Sequence, residues 1–275
     1  MSNLRQRAAP QDDAELGLLV RTYAVTHPAS LAIDHRSIDW HQLAYAAQGV
    51  MTVRTATHAW VVPPLRAVWI PAETGHSIHM NGRVKVRSLF FNTDLCRQSA
   101  ALQRCRALTV SPLLRELVLH TVARGLLWAT AAADVRLAGV IVDQLEAAET
   151  VAALALPMPT DPQVAQAADI LLASQGKTDL DGVAKALCMS RRSLERRFDR
   201  SGTLSLGRFR KKTRLLAALA GLAQGKTTQE AADIAGYEGP SAFIHAFRRE
   251  LGTTPQRWLS AQQPRGSEDE PSTAG

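Results

Sequence analysis

Between residues 191 and 214 the chain places Arg191, Arg192, Arg196, Arg197, Arg200, Arg208, Arg210, Lys211, Lys212 and Arg214 against only Glu195 and Asp199. A guanidinium offers a planar fork of N–H donors that fits the O6 and N7 edge of guanine, and an ammonium offers a point charge for a phosphate. A run of this kind is ordinarily just the solvated face of a helix. It gains meaning where it coincides with an element shaped to enter a groove of DNA. The formal net charge of +7 is concentrated in the same half: residues 160–260 hold 16 basic and 10 acidic side chains, residues 1–159 hold 15 and 12, and the remainder holds 1 and 3. That surplus suits a polyanionic partner. No G-x-S-x-G, G-K-[ST], H-E-x-x-H or G-x-G-x-x-G occurs in a usable context, so no enzyme activity, catalytic residue or cofactor is expected. Cys96, Cys105 and Cys188 form no C-x-x-C pair and are odd in number, which points to reduced thiols in a cytoplasm rather than to a disulfide framework or a structural zinc.

These side chains need elements to position them. A hydrophobic fraction of 46% suffices for ordinary cores, which excludes wholesale disorder. The start MSNLRQRAAPQDDAELGLLV is no signal peptide, no apolar stretch reaches membrane-spanning length, and a soluble protein without a membrane partner is expected. From about 21 to 108 short β-prone runs (Leu43–Tyr45, Val50–Arg54, Trp60–Val62, Val68–Ile70, Val84–Phe91) alternate with Gly49, Pro63-Pro64, Pro71, Gly75 and Asn81-Gly82, a texture of a sandwich or small barrel. Asn81-Gly82 between Ile78–Met80 and Val84–Val86 reads as a hairpin turn. After Ser111, a cap followed by Pro112, apolar residues fall at helical spacing, with Leu113, Leu117, Leu137, Val140, Ile141 and Leu145 as the apolar stripe. The two helices so marked either pack on their own domain or form an interface; both readings stand. Pro157, Pro159 and Pro162 mark a boundary.

Two helix-turn-helix units follow. In the first, Thr178 and Asp181 make an approximate capping box, Leu180, Val183, Ala184 and Leu187 line one face, Cys188-Met189 turns the chain, and Ser190 caps a helix whose Leu194 and Phe198 face inward. In the second, Thr227 and Glu230 fit a capping box, Gly236 ends the helix, and Pro240 opens another with Phe243, Phe247 and Leu251 inside and Gly252 at its end. LGRFRKKTRLLAALAGLAQGK lies between as a long helix that would hold two reading heads a fixed distance apart. One such unit is weak evidence, since any helical hairpin mimics it. Two in tandem, each with a basic outer face, are much stronger.

The stretch RLLAALAGLAQGKTTQEAADIAGYEGPSAFIHAFRRELGTTPQRW resembles the C-terminal signature of the AraC/XylS family of transcription regulators. The resemblance rests on Ala232–Tyr237, Ser241–Arg249, Gly252–Pro255 and, upstream, MSRRSLERRF. It covers about 100 residues and implies that each recognition helix enters a major groove of double-stranded promoter DNA. By position, the base-reading candidates are Arg192, Glu195 and Arg196 in the first helix and Pro240, Ser241, Ile244 and His245 in the second. Ser190, Arg191, Arg208, Lys211, Lys212, Arg248 and Arg249 are the phosphate-contact candidates. Arg192 and Arg196 suit guanine, Glu195 either accepts from cytosine or orients an arginine, and the charge-poor second helix suits positioning.

DWHQLAYAAQGVMTVRTATHAWVVPPLRAVWIPAETGHSIHMNGRVKVRSLFF resembles the cupin-type sensor domain of one branch of that family, through Gln42, Gly49-Val50, Trp60–Pro64, Ala67–Pro71 and Gly75-His76. That implies a small-molecule effector, with Trp40, Tyr45, Trp60, Trp69 and His76 as pocket candidates. Cupin metal sites use an early H-x-H pair, but those positions read Arg36 and Ile38; His76 stands alone, so no metal is expected. The chain is therefore identified as a member of the family with a two-domain α+β fold. Residues 1–20 form a flexible arm, 21–108 a cupin-like β-barrel, 109–158 a helical linker or dimerisation segment, 159–260 an all-α tandem helix-turn-helix domain, and 261–275 a disordered tail. RNA polymerase and a second copy of the chain are the protein partners this implies. The rival readings are a cupin enzyme or metal-binding protein, and a helical protein-interaction module.

Overall fold

The computed structural model describes residues 17–28, 31–35, 38–151 and 155–260. The expected tail of 261–275, most of the expected arm, and Arg36 lie outside the described residues. The N-terminal half is a curled antiparallel sheet built from β1 (Leu18–His27), β2 (Leu31–His35), β3 (Trp40–Thr55), β4 (His58–Val62), β5 (Arg66–Ile70), β6 (His76–Asn92), β7 (Arg106–Thr109), β8 (Leu127–Trp128) and β9 (Ala155–Pro157). The main path runs β7-β5-β3-β6-β1-β8, with β2 also on β6, and β4 between β3 and β9. β1 begins at Leu18, inside the stretch expected to be a loose arm.

Two of the strands, β3 and β6, are longer than the turn signals suggested. Gly49 and Asn81-Gly82 do not end strands: Gly49 lies inside β3, and the expected hairpin at Asn81-Gly82 lies inside β6. Both glycines hold positive φ, +84° and +88°, where the β3–β6 register slips between Gln48 and Val50. A bulge bends a strand and sharpens its twist without ending it. A Cβ on Gly49 would stand 2.3 Å from the Arg83 carbonyl oxygen, so no other residue fits there. The bend lets β6 pair with β2 through Ile78–Met80 and with β1 beyond Val84.

Alternation sorts the sheet into two faces. Ala44, Ala46, Met51, Val53, Trp60, Val62, Val68, Ile70, Ile78 and Met80 fill the inner one. Outside, Leu43, Tyr45, Trp69, Leu89 and Phe91 lie under α1 (Pro112–Arg124) and α2 (Ala132–Ala147). Ser111 caps α1 as expected, accepting from the Leu114 amide at 3.1 Å. Ile141 and Leu145 of the expected stripe are buried, but the rest is offset: Leu114, Val118 and Ala138 are buried instead, whereas Leu113 and Val140 are 54% and 43% exposed. Past the Gly49 bulge, Val50, Ala59, Val61, Leu156 and Met158 turn their outer face to the helical half.

That half comprises α3 (Pro162–Ala173), α4 (Leu180–Ala186), α5 (Arg191–Arg200), α6 (Leu206–Ala223), α7 (Thr228–Ala235), α8 (Pro240–Leu251) and α9 (Pro255–Ser260). Its core joins Val164, Leu171, Leu194, Phe198, Phe209, Leu219, Phe243, Phe247 and Trp258. Phe198 meets Phe209 edge-on at 5.8 Å, and Phe247 meets Trp258 at 6.1 Å. These aromatics tie α5 to α6 and α8 to α9. An ion pair bridges the halves: Arg54 Nη1 on β3 lies 2.5 Å from Asp169 Oδ1 on α3.

Candidate nucleic-acid interface

Side-chain caps fix the starts of α4, α5 and α7, and left-handed glycines end α7 and α8. α4 begins at Asp179, whose carboxylate accepts from the Gly182 amide at 2.6 Å. The cap is therefore Asp179 and not the expected Thr178, one residue earlier, because aspartate both accepts the amide and complements the helix dipole. The turn passes through Cys188 in the left-handed region at φ +53°, and the Met189 amide closes back on the Ala184 carbonyl at 3.0 Å. Ser190 then caps α5 by accepting from Ser193 N at 3.2 Å. In the second unit Thr227 and Glu230 form the expected capping box. The Glu230 carboxyl is held below its ordinary range by the Thr227 backbone amide, then by its hydroxyl. Gly236 ends α7 in the left-handed conformation at φ +74°, and Pro240 occupies the first turn of α8.

With Leu194 and Phe198 buried, α5 exposes Arg192 and Arg196. No ion pair engages either arginine among the described residues. Arg191 behaves differently. It donates to Glu195 at 2.9 Å and to Asp181 at 3.4 Å, which ties the start of α5 to α4 and occupies the Glu195 carboxylate. On α8, burial of Phe243, Ala246 and Phe247 leaves Ser241, Ile244, His245, Arg248 and Arg249 outward, with Pro240 partly covered. Arg249 pairs with Glu250 at 3.2 Å.

α6 joins the two units, and its basic residues divide by depth. Arg208 and Lys211 are exposed, the Lys211 ammonium lying 5.9 Å from the Tyr237 ring centre. Lys212 is half-buried, and burial pushes its ammonium below the usual lysine range, with the Glu250 charge opposing the shift. Arg210 and Arg214, counted in the basic run, act inside the domain. Arg210 donates to the carbonyls of Gly176 at 3.0 Å and Thr178 at 2.9 Å, gathering the chain between α3 and α4. Arg214 donates to the Ile234 carbonyl at 3.3 Å, near the end of α7. Sequence reasoning missed this role: nothing in composition separates a stapling arginine from a solvated one.

The pocket candidates of the N-terminal half do not converge. Trp40, Trp60 and His76 share the inner face by alternation, whereas Tyr45 and Trp69 point outward and are buried against α1 and α2. Expecting all five to line the barrel overlooks this parity: odd and even residues of β3 and β5 face opposite ways. Trp69 donates its indole N–H to the Leu102 carbonyl at 2.8 Å. His76 sits within hydrogen-bond reach of Gln42 Oε1 at 2.9 Å and the Thr74 carbonyl at 2.8 Å, and burial pushes its imidazole below the usual range. Among the described residues no group of three or more His, Cys, Asp or Glu could hold a metal ion.

Residues 183–261, from α4 through the second unit, match a family described as a helix-turn-helix domain. The chain is 30% identical over 222 residues to the HTH-type transcriptional regulator NimR of Escherichia coli K12, spanning 80% of this chain and 79% of that one. Among solved structures it is similar to a transcriptional regulator of Chromobacterium violaceum with an AraC-type DNA-binding domain (22% identity, TM-score 0.36), over 39% of this chain and 97% of that one. ToxT of Vibrio cholerae O395 is similar over 90% of this chain and 99% of its own, at 10% identity and TM-score 0.37. Sustained likeness to NimR across four fifths of both chains, together with the matched helix-turn-helix region, shows that this chain belongs to the AraC family of DNA-binding transcription regulators.

Proposed function

We propose that the chain is a sequence-specific, effector-responsive regulator of transcription that works in the cytoplasm and is not an enzyme. One observation carries this reading. Two capped helix-turn-helix units stand at either end of the continuous helix α6, and α5 presents Arg192 and Arg196 outward without carboxylate partners among the described residues. The fixed separation suits two successive major-groove contacts, roughly 10 bp apart. In this reading α5 supplies most base discrimination, with Arg192 and Arg196 on guanines at about 1–3 kcal/mol per good bidentate pair. Glu195, engaged by Arg191, orients the start of α5 and reads no base. Ser241, Ile244 and His245 of α8 fix position, Ile244 against a thymine methyl, while Arg208, Lys211 and Arg248 meet phosphates.

The division into a sensor (21–108), a helical segment (109–158) and a reading domain (159–260) is part of the proposal. So is pairing with a second copy, which the outward Leu113, Leu126, Val135 and Val140 on and beside α1 and α2 support. No helix among the described residues is long and apolar enough to cross a membrane. Selection from a random-sequence DNA pool with the purified chain tests the reading. Enriched sites should carry two conserved blocks about one helical turn apart, the guanine-containing block being the more constrained. A pool left unenriched contradicts it.

A further inference from the structure

We propose that the cleft between the outer face of the half-barrel and helices α3 and α6 is a binding site for an uncharged, mostly apolar small molecule. The proposal rests on the regulator reading for its consequence, though not for its binding chemistry. The cleft measures about 550 Å³, within the range of small-molecule sites. Val61 and Leu156 on the sheet side face Leu172, Leu216 and Ala217 on the helical side. This is where the Gly49 bulge has turned the outer face away from α1 and α2, and among the described residues no side chain fills the gap.

The walls also decide the charge of the occupant. They hold one cation and one anion, Arg54 and Asp169, already paired at 2.5 Å across the cleft, along with His79. The remaining polar groups are neutral, and the Thr213 hydroxyl is spent on the Phe209 carbonyl at 2.9 Å. An anion entering here would meet Asp169 and a cation would meet Arg54. Either would leave an uncompensated charge beside apolar walls, a costly arrangement that a neutral molecule avoids. Hydrogen bonds to the exposed flanks of the ion pair suffice to orient it.

The consequence follows from which elements form the walls. α6 supplies Thr213, Leu216, Ala217 and Ala220 to the cleft and also carries both reading units. An occupant therefore touches the helix that sets their spacing. DNA and occupant must then alter each other's affinity by the same factor.

Full-length protein titrated with the neutral dye N-phenyl-1-naphthylamine tests the site. We expect saturable fluorescence enhancement, displaced by 2-naphthalenemethanol but not by the 2-naphthoate anion. Ala217→Trp, which fills the cleft from α6, and Ala173→Phe, which fills it from α3, should each weaken the dye about tenfold or more, because the added ring takes the volume the dye needs. Thermal melting of both variants identifies which remains folded, and that variant carries the test. Absent saturation, undiminished binding in a folded filled variant, or equal displacement by naphthoate would each overturn the proposal. Binding of selected DNA, measured on the same samples, separates the two claims. A chain that binds DNA and not the dye overturns the cleft alone, whereas one that binds the dye as expected and no DNA supports the cleft and overturns the regulator reading.

Discussion

Replacing Gly236 with alanine probes how the second reading unit is locked to α6. Gly236 ends α7 at φ +74°, and a Cβ built there would meet the Arg214 guanidinium at 1.8–2.3 Å. Two costs combine. An L-residue held in the left-handed region costs about 1–2 kcal/mol. Pushing Arg214 aside also removes its donation to the Ile234 carbonyl, a net loss of about 1 kcal/mol. Gly236→Ala should therefore destabilise the helical domain by about 2–3 kcal/mol. Urea unfolding followed by helical circular dichroism would read this as a lower midpoint at unchanged slope. Arg214→Ala should incur only the smaller cost. The double variant should be scarcely worse than Gly236→Ala alone, because the alanine has already displaced the arginine. A Gly236→Ala midpoint equal to that of the parent, or full additivity with Arg214→Ala, would refute the lock.

Other outcomes follow from the same geometry. Arg196→Ala should weaken binding to a selected site about tenfold or more while leaving random-sequence binding nearly unchanged, and equal losses on both in an electrophoretic shift assay would exclude it as a base reader. Lys211→Ala should lower affinity on all sequences and flatten the logarithmic salt dependence by about one unit, whereas an unchanged slope would remove it from the phosphate contacts. Burial holds the imidazoles of His27, His41, His58 and His76 below the usual histidine range. The unfolded chain therefore binds protons more readily. Stability should be full above the ordinary histidine pKa and decline as the pH falls from about 7 towards 5. Urea midpoints that rise over that interval would contradict the assignment.

The caps of the two reading units were legible in the sequence to within a residue, and for a physical reason. Caps, left-handed glycines and i, i+4 apolar pairs are local: Thr227 with Glu230, Gly236, and Leu194 with Phe198 decide their own surroundings. Thr178 failed as a cap only because Asp179 beside it is the better acceptor. The sheet was less legible. Gly49 and Gly82 demand positive φ, a demand met equally by a turn or by a bulge within a continuing strand. Which one forms depends on partners far away in the chain, such as Arg83 against Gly49. The same distance dependence hid the placement of Tyr45 and Trp69, whose face is set by strand parity and by α1 and α2 lying over them. The split among the basic residues was illegible too. Arg191, Arg210 and Arg214 turn to partners within the chain, while among the described residues Arg192 and Arg196 of the same run form no ion pair.

That split is the centre of the account, and guanine methylation interference on a selected site tests it most directly. A methyl group on N7 blocks the acceptor that an arginine fork needs in the major groove. Interference should concentrate in one of the two blocks and vanish there when Arg192 and Arg196 are both replaced by alanine, with the other block unaltered. Strong interference in both blocks, or a pattern unmoved by the double substitution, would show that α5 is not the principal reader.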